Sequence, residues 1–173
     1  DADIEDIAAA MGVRGEAGGW NLDLSVNYGS NRIDYGVSNS WNASLGGSVS
    51  PTEFESGGLR SGQTSVNFDA QRSVNLGIGD SSFAVGGEWR NENYKIVPGE
   101  EASYIAGPFT FSNGAAPGAQ VFPGFQPVIG GVNVTNPNAR ENVSLYAELD
   151  TDIWDGFNVQ AAGRFEDYSD FGS

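Results

Sequence analysis

Along much of this chain apolar and polar side chains alternate one for one, the period of a strand with one greasy and one wet face. Near the carboxyl end Val143, Leu145, Ala147, Leu149 and Ile153 fall on one side. Asn142, Ser144, Tyr146, Glu148 and Asp150 fall on the other. The return run repeats the pattern, with Phe157, Val159, Ala161, Gly163 and Phe165 opposing Asn158, Gln160, Arg164, Glu166 and Tyr168. Trp154-Asp155-Gly156 joins the two runs, and Asp-Gly suits the positive backbone angles of a short hairpin turn.

The same period recurs upstream. Ala9, Met11, Val13 and Gly15 alternate with Ala10, Gly12, Arg14 and Glu16, and Ala17-Gly18-Gly19 turns the chain. Trp20, Leu22, Leu24, Val26 and Tyr28 then alternate with Asn21, Asp23, Ser25 and Asn27. After Gly29 the phase slips, with Ile33, Tyr35 and Val37 on odd positions; a bulge near 29–32 would flip the faces in this way. Val66, Phe68, Ala70, Val74, Leu76 and Ile78 make the next apolar line, interrupted by Arg72, and Gly79-Asp80-Ser81-Ser82 is the expected turn. Phe83, Val85, Gly87 and Trp89 oppose Glu88, Arg90 and Glu92 on the return strand. Hairpins are thus expected over about residues 7–37, 64–97 and 142–168. Polar, Ser/Gly/Asn-rich loops are expected over 38–63 and 98–139, the second holding most of the prolines.

Such a hairpin reads alike whether its apolar face meets a protein core or lipid. The connections separate the two. Three tight turns alternate with two connections too long for an ordinary compact domain. Short turns at one rim and long loops at the other are the pattern of outer-membrane barrels. Trp20, Phe83 and Trp154 each stand beside a short turn, where an interfacial aromatic girdle would lie. The expected fold is therefore all-β: antiparallel up-and-down hairpins, about six strands of a transmembrane β-barrel with long extracellular loops. A lipid face requires Arg72 to sit near the headgroups, to snorkel or to mark a bulge. The alternative is a soluble β-sandwich for adhesion or carbohydrate binding, in which two apolar faces meet each other.

Composition narrows the function classes. A net charge of −15, with only 8 Lys and Arg, does not supply the clustered cations that nucleic acid requires. Cys and His are both absent, which removes disulfides, thiolate chemistry, Cys/His metal sites and His-based triads. The chain opens on Asp1-Ala-Asp-Ile-Glu-Asp without a signal peptide, as an internal or processed piece would.

Gly87-Glu88-Trp89-Arg90-Asn91-Glu92-Asn93-Tyr94, followed by Pro98-Gly99-Glu100 and Ser103-Tyr104, resembles a barrel strand and loop start of TonB-dependent outer-membrane receptors. Tyr146-Ala147-Glu148-Leu149 and Ala162-Gly163-Arg164-Phe165-Glu166-Asp167-Tyr168-Ser169-Asp170-Phe171-Gly172 are similar to another hairpin of that family. The resemblance covers roughly residues 64–173 and extends more loosely back to Ala9. Trp89 and Phe165 stand where Tyr is the more usual aromatic. The family pattern adds a plug domain, a segment that engages an inner-membrane energy coupler and a barrel of about 22 strands. A section of about six strands is the expectation here, with the plug and the TonB-type coupler as partners through other parts of the receptor. The other partners so implied are outer-membrane lipid and an extracellular small-molecule cargo in a bacterial outer membrane. Cargoes of the family include siderophores, cobalamin-type compounds and oligosaccharides.

Candidate chemistry is modest. Glu88, Arg90 and Glu92 on one strand, and Arg164 with Glu166 on another, could serve acid–base work, yet they suit a solvated wall with cross-strand ion pairs equally well. Glu166, Asp167 and Asp170 bring acidic oxygens together without the spacing of a calcium loop. No enzyme activity and no cofactor are expected. The candidate cargo contacts are Arg90, Glu92, Tyr94, Arg164, Glu166 and Tyr168 on the wet wall, with Tyr104, Phe109, Phe111, Phe122 and Phe125 in the second long loop. Alone in water, such a segment would expose its apolar face and two unpaired edges.

Overall fold

A computed structural model describes residues 1–110, 122–129 and 131–172. Its strands are β1 (Ala2–Ala17), β2 (Trp20–Ser38), β3 (Glu53–Asn75) and β4 (Asp80–Pro98), followed by the single-turn helix α1 (Glu101–Tyr104). The small strands β5 (Val128–Ile129) and β6 (Val132–Asn133) come next, then β7 (Asn138–Trp154) and β8 (Phe157–Tyr168). Six strands form one antiparallel sheet in the order β1-β2-β3-β4-β7-β8, so sequence neighbours are spatial neighbours. The strands β5 and β6 pair with each other alone. Up-and-down connectivity of this kind is the expected fold class. Among the described residues no helix is long and apolar enough to cross a membrane, which leaves strands free to do so.

Turn chemistry fixes the hairpins. Gly18 and Gly19 both take positive φ (59° and 78°), the mirror-image turn that matches the twist of paired strands. Between β3 and β4 the chain turns over residues 76–79, earlier than the expected 79–82. There the Asn75 side chain accepts the Gly77 amide at 2.9 Å, and Gly77 sits at φ 75°. Leu76 and Ile78 continue the apolar period but lie exposed in that turn. The β7–β8 register pairs Leu145 with Phe165, Ala147 with Gly163 and Tyr146 with Arg164, and it slips once between Asp152 and Trp154. The two greasy runs therefore share a face. Trp154 stacks on Phe157 at 4.4 Å beside the turn.

Two boundaries differ from the sequence pattern. Strand β3 begins at Glu53, well inside the segment expected to be loop, and β1 begins at Ala2. In both stretches the larger apolar residues, Ile4 and Ile7 in one and Phe54 and Leu59 in the other, fall an odd number of positions apart, so no apolar alternation marks them. At the start of β1 the backbone is held by Asp1, whose carbonyl accepts the Gly36 amide at 2.9 Å.

Burial runs opposite to that of a soluble domain. Asn142 and Ser144 are 2% and 1% exposed, whereas their neighbours Val143 and Leu145 are 50% and 60% exposed. On β2 the apolar Leu24, Val26 and Tyr28 are exposed, while Ser25 and Asn27 between them are half-buried. Among the described residues the buried apolar side chains are only Phe54 and Ala70, against nine buried polar ones. Buried polar groups and exposed apolar ones are the informative departures from ordinary packing. They say that this sheet is organised around its wet face, and that among the described residues its greasy face meets neither a second sheet nor a helix.

The chain divides into two compact units. The first holds Asp1–Ile7, Ser30–Gly62 and Asn93–Asn138, including both long connections. The second holds Ala8–Gly29, Gln63–Glu92 and Ala139–Ser173, including the three tight turns.

Candidate functional site

In the second unit, β4, β7 and β8 present the polar wall. Arg90 Nε donates to Glu88 at 2.6 Å, and its guanidinium lies 3.7 Å from Glu92. Arg164 donates to Glu166 at 2.5 Å and to the Ser144 hydroxyl at 2.9 Å. The Tyr168 hydroxyl donates to Glu166 at 2.9 Å. Strand alternation sets these contacts: residues two apart on one strand share a face, so Glu88, Arg90 and Glu92 meet, as do Arg164, Glu166 and Tyr168. The Tyr146 hydroxyl donates to Asp69 of β3, adding a fourth strand to the polar wall.

Tyr168 has further partners. It stacks on Phe171 at 4.6 Å, and the Arg140 guanidinium lies over both rings while bonding Asp170. Glu166 and Asp170 of the acidic run are thus engaged with arginines. Among the described residues no group of three or more acids is placed to hold a metal ion. At the turns, Arg72 lies over the Trp20 ring at 5.3 Å, and Trp20 meets Phe83 edge-on at 6.2 Å. The arginine that breaks the apolar line is therefore held on an aromatic face beside the turns.

In the first unit, Phe125 packs edge-on against Tyr35 of β2 at 5.8 Å, and its amide and carbonyl bond Ser56 and Gly99. Phe109 lies beside Gly46, half-exposed. The Tyr104 carbonyl accepts the Gln126 side chain at 3.4 Å, which ties α1 to the segment carrying Phe122 and Phe125. Tyr94 is exposed. Phe111 lies outside the described residues. Of the sequence candidates, Arg90, Glu92, Arg164, Glu166 and Tyr168 thus belong to the second unit. Tyr94, Tyr104, Phe109, Phe122 and Phe125 belong to the first.

The first unit also holds an open cavity of about 710 Å³ lined by Arg32, Asp34, Tyr35, Glu55, Arg60 and Glu100 among others. Arg60 bonds Asp34 at 2.5 Å and the Ile33 carbonyl at 3.0 Å, and Arg32 bonds the other Asp34 oxygen at 2.6 Å. Bonds first from Arg60 and then from Arg32 hold the Asp34 carboxyl below its ordinary range. Asp34 stands beyond the roughly ten residues that cross a bilayer from the Trp20 turn. This cavity was not legible in the sequence. Arg60 fell in apparent loop, so alternation gave it no face, and the cavity wall depends on strand order.

No curated protein and no solved structure matches the chain. The model of the TonB dependent receptor-like β-barrel family matches residues 4–173, almost its whole length. The exposed apolar and buried polar faces, the sequential antiparallel pairing and the grouping of the tight turns agree with that match. The chain belongs to the TonB-dependent receptor family, as a section of its β-barrel.

Proposed function

We propose that this chain forms part of the wall and outer connections of a bacterial outer-membrane receptor for energy-coupled uptake of a scarce nutrient. The observation that carries the membrane assignment is the inverted burial of the sheet, with Leu145 and Val143 open while Ser144 and Asn142 are closed. Lipid is the solvent that makes such a face stable. The family supplies the class, an outer-membrane receptor that transports rather than transforms its cargo. The plug and a TonB-type coupler are the partners through which cargo passes inward.

Cargo from outside meets the long connections first, because barrels of this family keep a plugged lumen. The contact surface is assigned to Tyr104, Phe109, Phe111, Phe122 and Phe125, with Arg90, Glu92, Tyr94, Arg164, Glu166 and Tyr168 on the wall. Cargo is a ferric siderophore, a cobalamin-type compound or an oligosaccharide. The pairing of Arg90 and Arg164 with carboxylates, together with the net charge of −15, favours the neutral sugar within that set. Deleting residues 108–127 from the full receptor tests the assignment: cargo affinity and uptake should fall while outer-membrane abundance and heat-modifiable migration stay unchanged. Unchanged uptake would reduce that segment to a surface cover.

A further inference from the structure

Asn42 and Ser44 are the most buried side chains of the first long connection, at 0% and 1% exposure, in a stretch with no regular structure. The Asn42 carboxamide donates to the Ala102 carbonyl at 3.1 Å and to the Ile105 carbonyl at 2.9 Å. Its oxygen accepts the Ser44 amide at 3.1 Å and the Ser44 hydroxyl at 2.6 Å. All four hydrogen-bonding positions of the carboxamide are filled. From the far side, the Gly107 amide donates to the Ser44 hydroxyl at 2.9 Å, and the Phe109 amide donates to the Ser44 carbonyl at 3.1 Å. There is no slack at this seam, since a Cβ on Gly107 would stand 2.1 Å from the Ser44 carbonyl oxygen.

Both partners here are segments whose own backbones offer little cooperative structure. Residues 39–52 carry only turns, and 99–109 carry one helical turn. Glu100 also bonds the Glu55 carbonyl of β3 and Gly124 bonds the Ser103 carbonyl, but the bonds between the two connections run through Asn42 and Ser44. A buried polar network is stable when complete and costly when half-made, so it opens as a whole or stays shut. We propose that Asn42 is a latch that locks residues 39–52 and 99–109 into one body, so that neither connection moves without the other. Cargo held at Tyr104 or Phe109 then orders the first connection as well as the second. That consequence rests on the proposed cargo-contacting role of the second connection; the latch itself does not.

Hydrogen–deuterium exchange on the full receptor in lipid tests it, reading peptides from 39–52 and from 99–109, with a β7–β8 peptide as the reference for barrel assembly. Asn42→Ala should speed exchange in both connections together, by about tenfold or more, with the reference unchanged. Gly107→Ala attacks the same seam from the opposite side and should loosen the same pair. Loosening confined to 39–52 in Asn42→Ala, loosening confined to 99–109 in Gly107→Ala, or no change in either would overturn the latch. Should Asn42→Ala disturb the reference peptide, Ser44→Ala carries the same two expectations with a smaller deletion. Cargo affinity of the same variants separates the two ideas. Coupled exchange with unchanged affinity keeps the latch and overturns the cargo role of 99–109.

Discussion

Tyr146 ties three strands of the second unit, and a pair of substitutions can measure that tie. Its hydroxyl donates to Asp69 of β3, and its ring occupies the space where a side chain on Gly86 of β4 would stand. A Cβ on Gly86 would lie 2.4 Å from the ring Cε1, 2.6 Å from Cζ and 2.7 Å from Asp69 Oδ1. The ring cannot yield by a small shift; it has to swing, and it takes the hydroxyl off Asp69 as it goes. A hydrogen bond to a charged group is worth about 1.5–3 kcal/mol, and overpacking adds roughly 1–3 kcal/mol. Gly86→Ala should therefore cost about 2.5–6 kcal/mol, and Tyr146→Phe only the bond, about 1.5–3 kcal/mol. In a Tyr146→Ala background the ring is gone and Asp69 is free to rotate, so adding Gly86→Ala should cost less than about 1 kcal/mol. The assay is equilibrium urea unfolding of the full receptor in lipid, run as a double-mutant cycle. An equal cost for Gly86→Ala in both backgrounds would refute the interlock.

Three further expectations follow from other parts of the sheet. Leu149→Arg, five positions before Trp154 on the greasy face of β7 and so near the middle of a roughly ten-residue crossing, should destabilise the assembled receptor by about 2–4 kcal/mol if that face meets lipid; in water the same change would fall within about 0.5 kcal/mol, and urea unfolding in lipid decides between them. Trp20→Leu gives up the edge-on contact with Phe83 and the face under Arg72, a loss of about 1–2.5 kcal/mol in the same assay. Asp34, whose folded carboxyl lies below its ordinary range, stabilises the first unit fully above about pH 4 and progressively less as the pH falls through its folded value. Exchange of residues 30–36 should then differ between wild type and Asp34→Asn at pH 7 and converge in acid; a constant difference would mean that the ion pairs with Arg60 and Arg32 contribute nothing.

The hairpins were legible because alternation survives wherever one face is greasy and the other wet. In β7 and β8 the Asp155-Gly156 turn then fixes the register, and Leu145 comes opposite Phe165. Alternation fails at Glu53–Gln63, where Phe54 and Leu59 fall on opposite faces among Ser, Gly and charged residues, so that part of β3 reads as loop. The turn after β3 was misplaced for a different reason. Leu76 and Ile78 keep the period, but the Asn75 side chain bonds the Gly77 amide and bends the chain first. Least legible was Asn42. An Asn in an irregular polar stretch carries no mark of its partners, which are carbonyls some sixty positions away.

Burial, which no single sequence displays, turns the alternation into a functional statement and also constrains the cargo. Alternation alone gives two faces without saying which is outside; Ser144 closed beside Leu145 open says it. The closed face is then a wall whose charges are already spent, because Arg90 serves Glu88 and Glu92, and Arg164 serves Glu166 and Ser144. On the proposed function, an anionic chelate reaching this wall would have to displace a carboxylate from each arginine it used. A neutral polyol needs no such exchange, since it can donate to Glu92 and Glu166 without separating an ion pair. The latch at Asn42 bears on the same choice. Neutral rings are gripped mainly by stacking and by many weak hydrogen bonds, which reward aromatics held in place before the cargo arrives. A first connection locked to the segment bearing Tyr104 and Phe109 meets that cost in the folded receptor, before any cargo binds.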